Sequence, residues 1–232
     1  MNDENALIWE DDTIPRAKKF DDTYYSKADG FLETEYVFIA GNNLIERWPN
    51  MSQCTIGELG FGTGLNFLVT ALAWQKRSDE NSKLKFISFE QYPLTMQQTK
   101  KALSRWPELN AFCQPLLDFI EHSNFENQGK FNLQFAPNIE LELHLGDANR
   151  LVPKLEPCID AWYLDGFSPA KNPELWNAAL MQSVFDKTKL NGTFATYTAA
   201  SFVRNALSDA GFRVTRTKGH AGKRHMSVGI KA

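Results

Sequence analysis

The stretch ELGFGTGLNF, residues 58–67, decides the fold class of this 232-residue chain. A short apolar run at residues 55–59 leads into it and a run of helical period at residues 65–75 follows, so the glycines occupy a strand-to-helix turn. In open α/β sheets such turns lie at the carboxyl edge, where ligands bind. Glycines at alternate positions allow a tight turn and a close approach by a ligand, because no Cβ stands in the way. The stretch therefore predicts a binding site.

Outward from this turn, short apolar runs alternate with segments of helical period. The predicted strands are residues 55–59, 84–89, 141–145, 161–164, 193–197, 212–217 and 225–230. The predicted helices are residues 65–75, 94–103, 108–121, 173–185 and 200–210. Residues 218–224 are too short for a parallel crossover, so the last two strands should form an antiparallel hairpin. A seven-stranded, mostly parallel α/β sheet that ends in such a hairpin is the outline of the Rossmann-like class I methyltransferases, which depend on S-adenosylmethionine (SAM).

The domain organisation follows from a change of pattern near the amino terminus. The chain contains no internal repeat, low-complexity tract or Gly/Ser linker that would separate two domains of similar size. In the first forty residues, Asp and aromatic residues mix without a clear period, as at residues 20–25. We expect a cap over residues 1–45, irregular or with a short hairpin, and a methyltransferase domain over residues 46–232.

The composition is that of an ordinary globular protein, with 43% hydrophobic and 23% charged residues. It excludes the disordered, collagenous and disulfide-dense classes. No apolar run approaches the length of about 18 residues that a membrane span needs. The first ten residues include Asp3, Glu4 and Glu10 and lack the positive start and apolar stretch of a signal peptide. We therefore expect a cytoplasmic protein without a membrane partner.

The charge distribution is more informative than the net charge of -3. From residue 211 to the end there are no acidic residues and six basic ones, namely Arg213, Arg216, Lys218, Lys223, Arg224 and Lys231. The other 210 residues therefore carry 19 basic and 28 acidic side chains, a balance of -9. The carboxyl-terminal end is suited to a polyanion such as RNA, whereas the body of the protein would repel one.

The glycine loop favours SAM over a dinucleotide. A dinucleotide fingerprint would place its third glycine or alanine at position 65, which is Leu65. An acid two residues before three alternate glycines is typical of SAM loops instead, and Glu58 is expected to receive the cationic amino end through the glycine amides and water. The other cofactor contacts expected from this segment are those of Gly60, Phe61, Gly62, Gly64 and Asn66.

Two further acids follow predicted strands. Glu90 ends the second strand of the pattern, where its carboxylate can accept both ribose hydroxyls. Asp147 follows the next strand and can face the exocyclic amine of adenine. Each acid has an alternative interpretation as a loop-end carboxylate or a helix cap. Three acids at successive strand ends beside a glycine loop favour the cofactor site.

A second candidate site lies in residues 162–173, WYLDGFSPAKNP. Asp165 ends a buried strand, where a carboxylate is costly without a partner. In amino methyltransferases that act on bases, a polar residue followed by proline and an aromatic residue commonly stands at this strand end, and Asp165 with Phe167 is a variant of it. The alternative is a capped strand-to-helix turn, with Phe167 in the core and Asn172 as the cap.

Several segments together resemble the methyltransferase part of the MnmC family of bifunctional tRNA modification enzymes. They are residues 20–38 (FDDTYYSKADGFLETEYVF), 58–67 (ELGFGTGLNF), 165–176 (DGFSPAKNPELW), 195–204 (ATYTAASFVR) and 222–226 (GKRHM). The resemblance covers nearly the whole chain, and residues 165–176 are its most specific part. It implies SAM-dependent methylation of the 5-aminomethyl group on a wobble uridine that is often 2-thiolated, with the tRNA anticodon loop as partner.

The resemblance also implies roles for single residues. Asp165 is expected to orient the amine and take its proton, in an in-line transfer that needs no metal. Phe167 and Tyr25 are candidates for stacking on the splayed-out uracil, since single-stranded RNA is read by aromatic platforms. Lys171, Lys223 and Arg224 are candidates for contacts with anticodon phosphates.

Three questions stay open at the level of sequence. In the bifunctional enzymes an FAD-dependent oxidase module supplies the free amine, so here either a separate protein or pathway supplies it or the chain is a fragment. A small-molecule amine N-methyltransferase would share the fold and the glycine loop. A module that binds SAM or RNA without turnover would share them as well.

Overall fold

Within residues 6–123, 125 and 128–232, which the computed structural model describes, the chain forms a three-stranded sheet and an eight-stranded sheet. The strands are β1 Leu7–Glu10, β2 Ile14–Ala17, β3 Asp22–Thr23, β4 Gln53–Leu59, β5 Lys83–Glu90, β6 Gly129–Ala136, β7 Ile139–Leu145, β8 Ile159–Leu164, β9 Thr188–Thr196, β10 Arg213–Lys218 and β11 His225–Ile230. The α-helices are α1 Gly30–Glu33, α2 Leu44–Arg47, α3 Leu65–Arg77, α4 Met96–Leu103, α5 Asn110–His122, α6 Ala148–Leu151, α7 Ala178–Lys187 and α8 Ser201–Asp209.

The large sheet has the strand order β10-β11-β9-β8-β4-β5-β7-β6. Strands β4, β5, β7, β8 and β9 are parallel, and β10 and β11 form the predicted antiparallel hairpin. All seven predicted strands are present, which confirms the Rossmann-like methyltransferase fold. The chain runs from β4 outward to β5 and β7 and then returns to β8 on the other side of β4. The helices that follow β4 and β8 therefore lie on opposite faces of the sheet, and open sheets form a ligand crevice at such a point.

The eighth strand, β6, is the element that the sequence prediction missed. Its sequence GKFNLQFA alternates polar and apolar residues, and Phe131, Leu133 and Phe135 pack against the core while their neighbours face outward. It pairs antiparallel with β7 at the edge of the sheet, and only Pro137 and Asn138 separate the two strands. The alternation of period two was a readable signal for a strand with one buried face.

Helices cover both faces of the sheet because its side chains alternate between two hydrophobic clusters. Ile56 and Tyr163 belong to the cluster under α3, α4 and α5, whereas Leu59 and Trp162 belong to the cluster under α7 and α8. The predicted helix at residues 173–185 is divided into a 3-10 turn, Pro173–Trp176, and helix α7. Asn177 divides them, because its backbone is extended and its side chain caps the helix by accepting from the N–H of Leu180.

The amino-terminal segment contains more structure than the expected irregular cap or short hairpin. Strands β1, β2 and β3 form a small antiparallel sheet, and a helical segment follows that includes a π-helical stretch, Thr34–Ala40. Phe38 and Trp48 in and after this segment are buried in the main core. The boundary between residues 45 and 46 stays a prediction. In the described part of the chain, no helix has both the length and the apolar character to cross a membrane.

Candidate active site

A cavity of about 430 Å³ opens at the carboxyl edge of the large sheet. Its volume falls in the range of roughly 300–1,000 Å³ that small-molecule sites occupy. The strand register explains how it forms: Leu59 is paired with both Phe89 and Leu164, and Glu90 is paired with Leu145. Strands β4, β5, β7 and β8 therefore end at one level, and the loops that follow them face a common space. The amino-terminal segment closes the other side.

Ten of the predicted site residues line this cavity. They are Tyr25, Gly60, Phe61, Gly62, Asn66, Glu90, Asp147, Asp165, Phe167 and Lys223. Four others lie within the described part of the chain but outside the lining, namely Glu58, Gly64, Lys171 and Arg224. The structure thus brings the glycine loop and the Asp165 loop into one site.

The glycine loop is held in a conformation that favours glycine at three positions. Gly60, Gly62 and Gly64 have φ values of +87°, +55° and +75°, in the left-handed region that other residues rarely adopt. A Cβ on Gly60 would lie 3.2 Å from the Cα of Gly166, so the loops after β4 and β8 touch through their backbones. Gly64 precedes α3 and is packed against Leu116, away from the cavity.

Glu90 joins the end of β5 to the glycine loop. Its Oε2 accepts the N–H of Gly62 at 2.8 Å, and its Oε1 accepts the N–H of Tyr92 at 2.7 Å. Burial raises the pKa of Glu90. Each carboxylate oxygen has a second lone pair, so Glu90 can still accept ligand hydroxyls in the cavity.

Asp147 caps a helix, which is the alternative interpretation of this acid, and also lines the cavity. Its Oδ1 accepts the N–H of Asn149 at 2.9 Å and caps the short helix α6. The residue also lines the cavity, with Oδ2 only 3.8 Å from the Nε of the exposed Arg150. The cap orients the carboxylate and leaves Oδ2 able to accept a hydrogen bond from a ligand.

Glu58 requires a correction, because it lies beneath the cavity and not in its wall. Its fully buried carboxylate accepts from Asn66 Nδ2 at 2.9 Å and from the Ser88 hydroxyl at 2.6 Å. Burial raises its pKa well above the usual range. The amide of Gly60 donates to the carbonyl of Phe89 and not toward Glu58. Glu58 therefore reaches the cavity through Asn66 instead of through the glycine amides.

Asn66 connects the two halves of the site. Besides its bond to Glu58, its Nδ2 donates to Asp165 Oδ2 at 2.8 Å, and its Oδ1 accepts from the Thr34 hydroxyl at 2.6 Å. These partners come from β4, from the loop after β8 and from the amino-terminal segment. One amide side chain at the start of α3 thus orients the candidate catalytic carboxylate.

Asp165 occupies the position expected of it and has a strongly shifted pKa. Burial at the end of β8 raises the pKa of its carboxyl to about 7, and the nearby negative charge of Glu33 acts in the same direction. Its Oδ1 accepts the N–H of Gly166 at 2.8 Å. A carboxyl group that titrates near neutrality is well matched to general base chemistry.

The aromatic wall of the cavity differs in part from the prediction. Phe167 lines the cavity, stacks on Phe20 with 4.6 Å between ring centroids, and meets the edge of Tyr24 at 5.1 Å. Tyr25 also lines the cavity, but its ring packs against Trp106, and its hydroxyl donates to a backbone carbonyl, 2.7 Å from that of Thr13. The hydroxyl of Tyr25 is therefore engaged by the backbone, and Phe20 and Tyr24 add two further rings to the lining.

The three basic residues predicted for phosphate contacts are separated in the structure. Lys171 contacts the backbone carbonyl of Asp21 and lies 3.7 and 3.9 Å from the carboxylates of Asp21 and Asp22, so much of its charge is neutralised. Lys223 turns into the cavity, with Nζ 2.8 Å from Glu33 Oε1. Arg224 is exposed on the turn between β10 and β11.

Sequence reasoning missed several residues of the amino-terminal segment, of which Glu33 and Tyr24 line the cavity directly. No regular period marks this segment, so neither residue could be placed by pattern. Tyr197 was also missed. Its hydroxyl donates to the carbonyl of Gly166 at 2.9 Å and thereby ties the end of β9 to the Asp165 loop.

The charges in the cavity fit a cationic cofactor. The carboxylates of Glu33, Glu90, Asp147 and Asp165 all line it. A sulfonium ligand with an adenosine group would find carboxylates near its positive charge and carboxylate oxygens that accept hydrogen bonds from its ribose hydroxyls. The glycine positions leave room that a Cβ would fill, as at Gly62, where it would lie 3.0 Å from the Tyr24 ring. The residues present therefore suit SAM.

The sheet order, the glycine loop and the acidic cavity define a Rossmann-like methyltransferase. A family model described as S-adenosyl-L-methionine-dependent methyltransferase matches residues 107–232. The chain belongs to this family, which confirms the predicted enzyme class and SAM as the cofactor.

Two relatives carry the name tRNA 5-methylaminomethyl-2-thiouridine biosynthesis bifunctional protein MnmC. The protein of Aeromonas hydrophila is 43% identical over 236 residues, a match that covers 97% of this chain and 35% of the relative. The protein of Ectopseudomonas mendocina is 40% identical over 228 residues, covering 96% of this chain and 34% of the relative. The chain thus spans about a third of their length and corresponds to the methyltransferase part, as the sequence resemblance predicted.

Solved structures show the same fold. The crystal structure of MNMC2 from Aquifex aeolicus superimposes with a TM-score of 0.75 at 24% identity, over 93% of this chain and 66% of that one. Precorrin-6y C5,15-methyltransferase from Geobacter metallireducens superimposes with a TM-score of 0.52 at 14% identity, over 96% of both chains. At these identities the likeness concerns the fold alone.

Proposed function

We propose that this protein transfers a methyl group from SAM to the nitrogen of the 5-aminomethyl group on a wobble uridine of tRNA. The product is 5-methylaminomethyluridine or its 2-thio form. One observation carries the proposal: the backbones of the glycine loop and the Asp165 loop touch, so a cofactor over the first loop and an acceptor beside Asp165 share one cavity. The names of the relatives support tRNA as the substrate.

The cavity residues divide the binding work. When bound, SAM supplies an electrophilic methyl group whose C–S bond breaks as the C–N bond forms. Glu90 is placed to accept the ribose hydroxyls, and Asp147 to accept from the adenine amine. Gly60 and Gly62 have no Cβ, which leaves space for the cofactor to lie against the backbone of the loop. Alignment of donor and acceptor in a confined site supplies a large part of the rate.

Asp165 accounts for the proton that the amine must lose. A primary alkylamine has a pKa near 10.4 in water, so most of it is protonated and unreactive at neutral pH. Asn66 and the N–H of Gly166 hold the Asp165 carboxylate in place. Asp165 accepts an N–H hydrogen bond from the amine and takes its proton directly or through water.

The acceptor base and its RNA are proposed to enter past the aromatic wall. Phe167 would stack on the splayed-out uracil, with Phe20 and Tyr24 beside it. Arg224 and the basic hairpin β10–β11 would face anticodon phosphates. Such a substrate places the reaction in the cytoplasm. It also requires a prior step that generates the aminomethyl group, supplied by an FAD-dependent oxidase or by another pathway.

The test is methyl transfer to tRNA that carries 5-aminomethyluridine. The protein is incubated with this tRNA and SAM, and the nucleosides are analysed by mass spectrometry for a gain of one methyl group. The free aminomethyl nucleoside is assayed in parallel. Product on tRNA alone supports the proposal, and product on the free nucleoside alone indicates a small-molecule methyltransferase. Bound SAM without any product indicates a binding module.

A further inference from the structure

A primary ammonium group already occupies the cavity beside the Asp165 loop. It belongs to Lys223, whose Nζ lies 2.8 Å from Glu33 Oε1 and 4.5 Å from the centroid of the Tyr197 ring. The carboxylate and the aromatic face contact it from different elements, α1 and the end of β9. A carboxylate and an aromatic ring together are a strong receptor for an alkylammonium ion.

This receptor is built into the site. The side chain of Glu33 is only 13% exposed, and its Oε2 accepts the N–H of Ser26 at 3.2 Å, which fixes the carboxylate. Tyr197 is fixed by its hydrogen bond to the carbonyl of Gly166, the residue after Asp165. The negative charge of Glu33 raises the pKa of Asp165 and the charge of Lys223 lowers it, so both groups lie within electrostatic reach of the proposed base.

The occupant, in contrast, is more exposed than the receptor. The side chain of Lys223 is 44% exposed and comes from the turn between β10 and β11. Rotation of this side chain toward solvent would leave the core unchanged. The aminomethyl group of the proposed substrate ends in the same chemical group, a primary alkylammonium.

We propose that Glu33 and the ring of Tyr197 receive the acceptor's alkylammonium group, and that Lys223 holds this place until the acceptor arrives. The inference rests on the proposed function, because it assumes an aminomethyl acceptor. Glu33 would collect the charged amine beside the base, and Asp165 would then take its proton. An acceptor without an amine would leave Lys223 on Glu33 and gain nothing from the receptor, so Glu33 would select for aminomethylated tRNA, and Lys223 would reduce that preference by competing for the same place.

The experiment compares two tRNAs that differ only in the aminomethyl group on the wobble uridine. Dissociation constants are measured with S-adenosylhomocysteine present, and the selectivity is the ratio of the constants for plain and aminomethylated tRNA. In Glu33→Gln the ratio should fall by about tenfold, because a neutral amide cannot form the charge-assisted bond. In Lys223→Met the ratio should rise several-fold, because the competing ammonium is gone.

The control is Lys130→Met, which removes an exposed lysine that is also paired with a buried glutamate, but outside the cavity. It should leave the ratio unchanged, and thermal melting checks that each variant is folded. A wild-type ratio in Glu33→Gln, or an unchanged or lower ratio in Lys223→Met, would overturn the inference. Methyl transfer by the wild-type protein distinguishes the two hypotheses. If the wild type forms no methylated product, the proposed function is rejected. If it forms product but the variants keep the wild-type selectivity ratio, only the role of Glu33 and Lys223 is rejected.

Discussion

At the residue scale, the proposed chemistry depends on the carboxyl group of Asp165, which lies in an unusual environment. Strand β8 is buried along its whole length, and Asp165 follows it directly. The same burial that makes the strand stable raises the pKa of Asp165 to about 7. Asn66 and the N–H of Gly166 then orient the carboxylate, each through a 2.8 Å hydrogen bond. Fold and reactivity are therefore linked at this residue.

The raised pKa of Asp165 predicts a pH dependence. Below about pH 7 the carboxyl is protonated and cannot accept the amine proton, so kcat/KM should rise with pH and inflect near 7. Asp165→Asn should lose this inflection and about 10²- to 10⁴-fold of kcat, the typical contribution of a general base. Single-turnover rates of both proteins between pH 5.5 and 9 give the position of the inflection and the loss of rate in Asp165→Asn. An inflection near 7 that persists in Asp165→Asn would assign it to another group.

Asn66→Ala should lower both activity and stability. The change leaves the buried Glu58 with one donor fewer and the Thr34 hydroxyl without its acceptor on Asn66. We expect a loss of about 1–3 kcal/mol in the free energy of unfolding, measured by urea denaturation, together with a lower kcat. The exposed Asn132→Ala is the matched control and should change stability by less than about 0.5 kcal/mol.

At the element scale, the site exists because parallel strands end at a common level. Leu59 of β4 is paired with Phe89 of β5 and with Leu164 of β8, so the loops that follow meet at one edge. The amino-terminal segment closes the cavity from the opposite side and is tied to the Asp165 loop by the N–H of Ser168, which donates to Asp22 Oδ2 at 2.8 Å. Neither element forms the site alone.

Gly62→Ala should weaken cofactor binding. Alanine at a φ of +55° costs roughly 1 kcal/mol, and its Cβ would lie 3.0 Å from the Tyr24 ring. Titration calorimetry with SAM should show a higher dissociation constant. Gly222→Ala is the matched control, since Gly222 also has a positive φ of +82° but open space around it. Equal effects of the two changes would show that strain alone, and not the cavity, is responsible.

Glu142 should make the sheet sensitive to acid. Its buried carboxylate contacts Lys85 at 2.8 Å and Lys130 at 3.0 Å, so it joins β7 to both neighbouring strands, and its pKa falls to about 2 from 4.5. A lowered pKa stabilises the folded state above pH 4.5, and this contribution is lost as the pH falls toward 2.

Glu142→Gln should therefore cost up to about 3 kcal/mol at pH 7, and the difference from the wild type should shrink below pH 4.5. Urea denaturation of both proteins, from pH 7 to below pH 4.5, measures this difference in the free energy of unfolding. The exposed Glu108→Gln is the control and should show little difference at any pH. A stability difference for Glu142→Gln that is independent of pH would show that the ionised carboxylate is not the source of this stabilisation.

At the scale of the whole molecule, the charges are segregated. The chain carries a net charge of -3, yet its last 22 residues contain six basic and no acidic side chains. These residues include the hairpin β10–β11 at one edge of the sheet, where Arg216 and Arg224 are exposed. The hairpin turn also carries Lys223 into the cavity, so the basic edge and the cavity adjoin.

Replacing both Arg216 and Arg224 by Ala should weaken tRNA binding and reduce its salt dependence. Each lost phosphate contact lowers the slope of log K against log salt by about 1. Binding is measured by filter retention between about 50 and 200 mM salt. Arg77→Ala, an exposed arginine at the end of α3, is the control. An unchanged slope in the double variant would place the RNA on another surface.

The sequence by itself determined the fold class and the edge of the sheet at which the cavity forms. Periodic apolar runs, the glycine turn and the short last connection are local features, and local geometry dictates their structure, so the seven strands and the hairpin were predictable. The acids Glu90, Asp147 and Asp165 were predictable for the same reason, because each follows a strand and parallel strands end at one edge.

Only the tertiary structure decided which side chains face the cavity. The direction of a side chain and its partners depend on contacts between residues far apart in the chain. Glu58 lies beneath the cavity because Asn66 and Ser88 hold it there, and Lys223 lies inside because Glu33, 190 residues earlier, accepts its hydrogen bond. The ring of Tyr25 packs against Trp106, 81 residues later in the chain. Periodicity carries no information about such long-range pairs, and folding creates them.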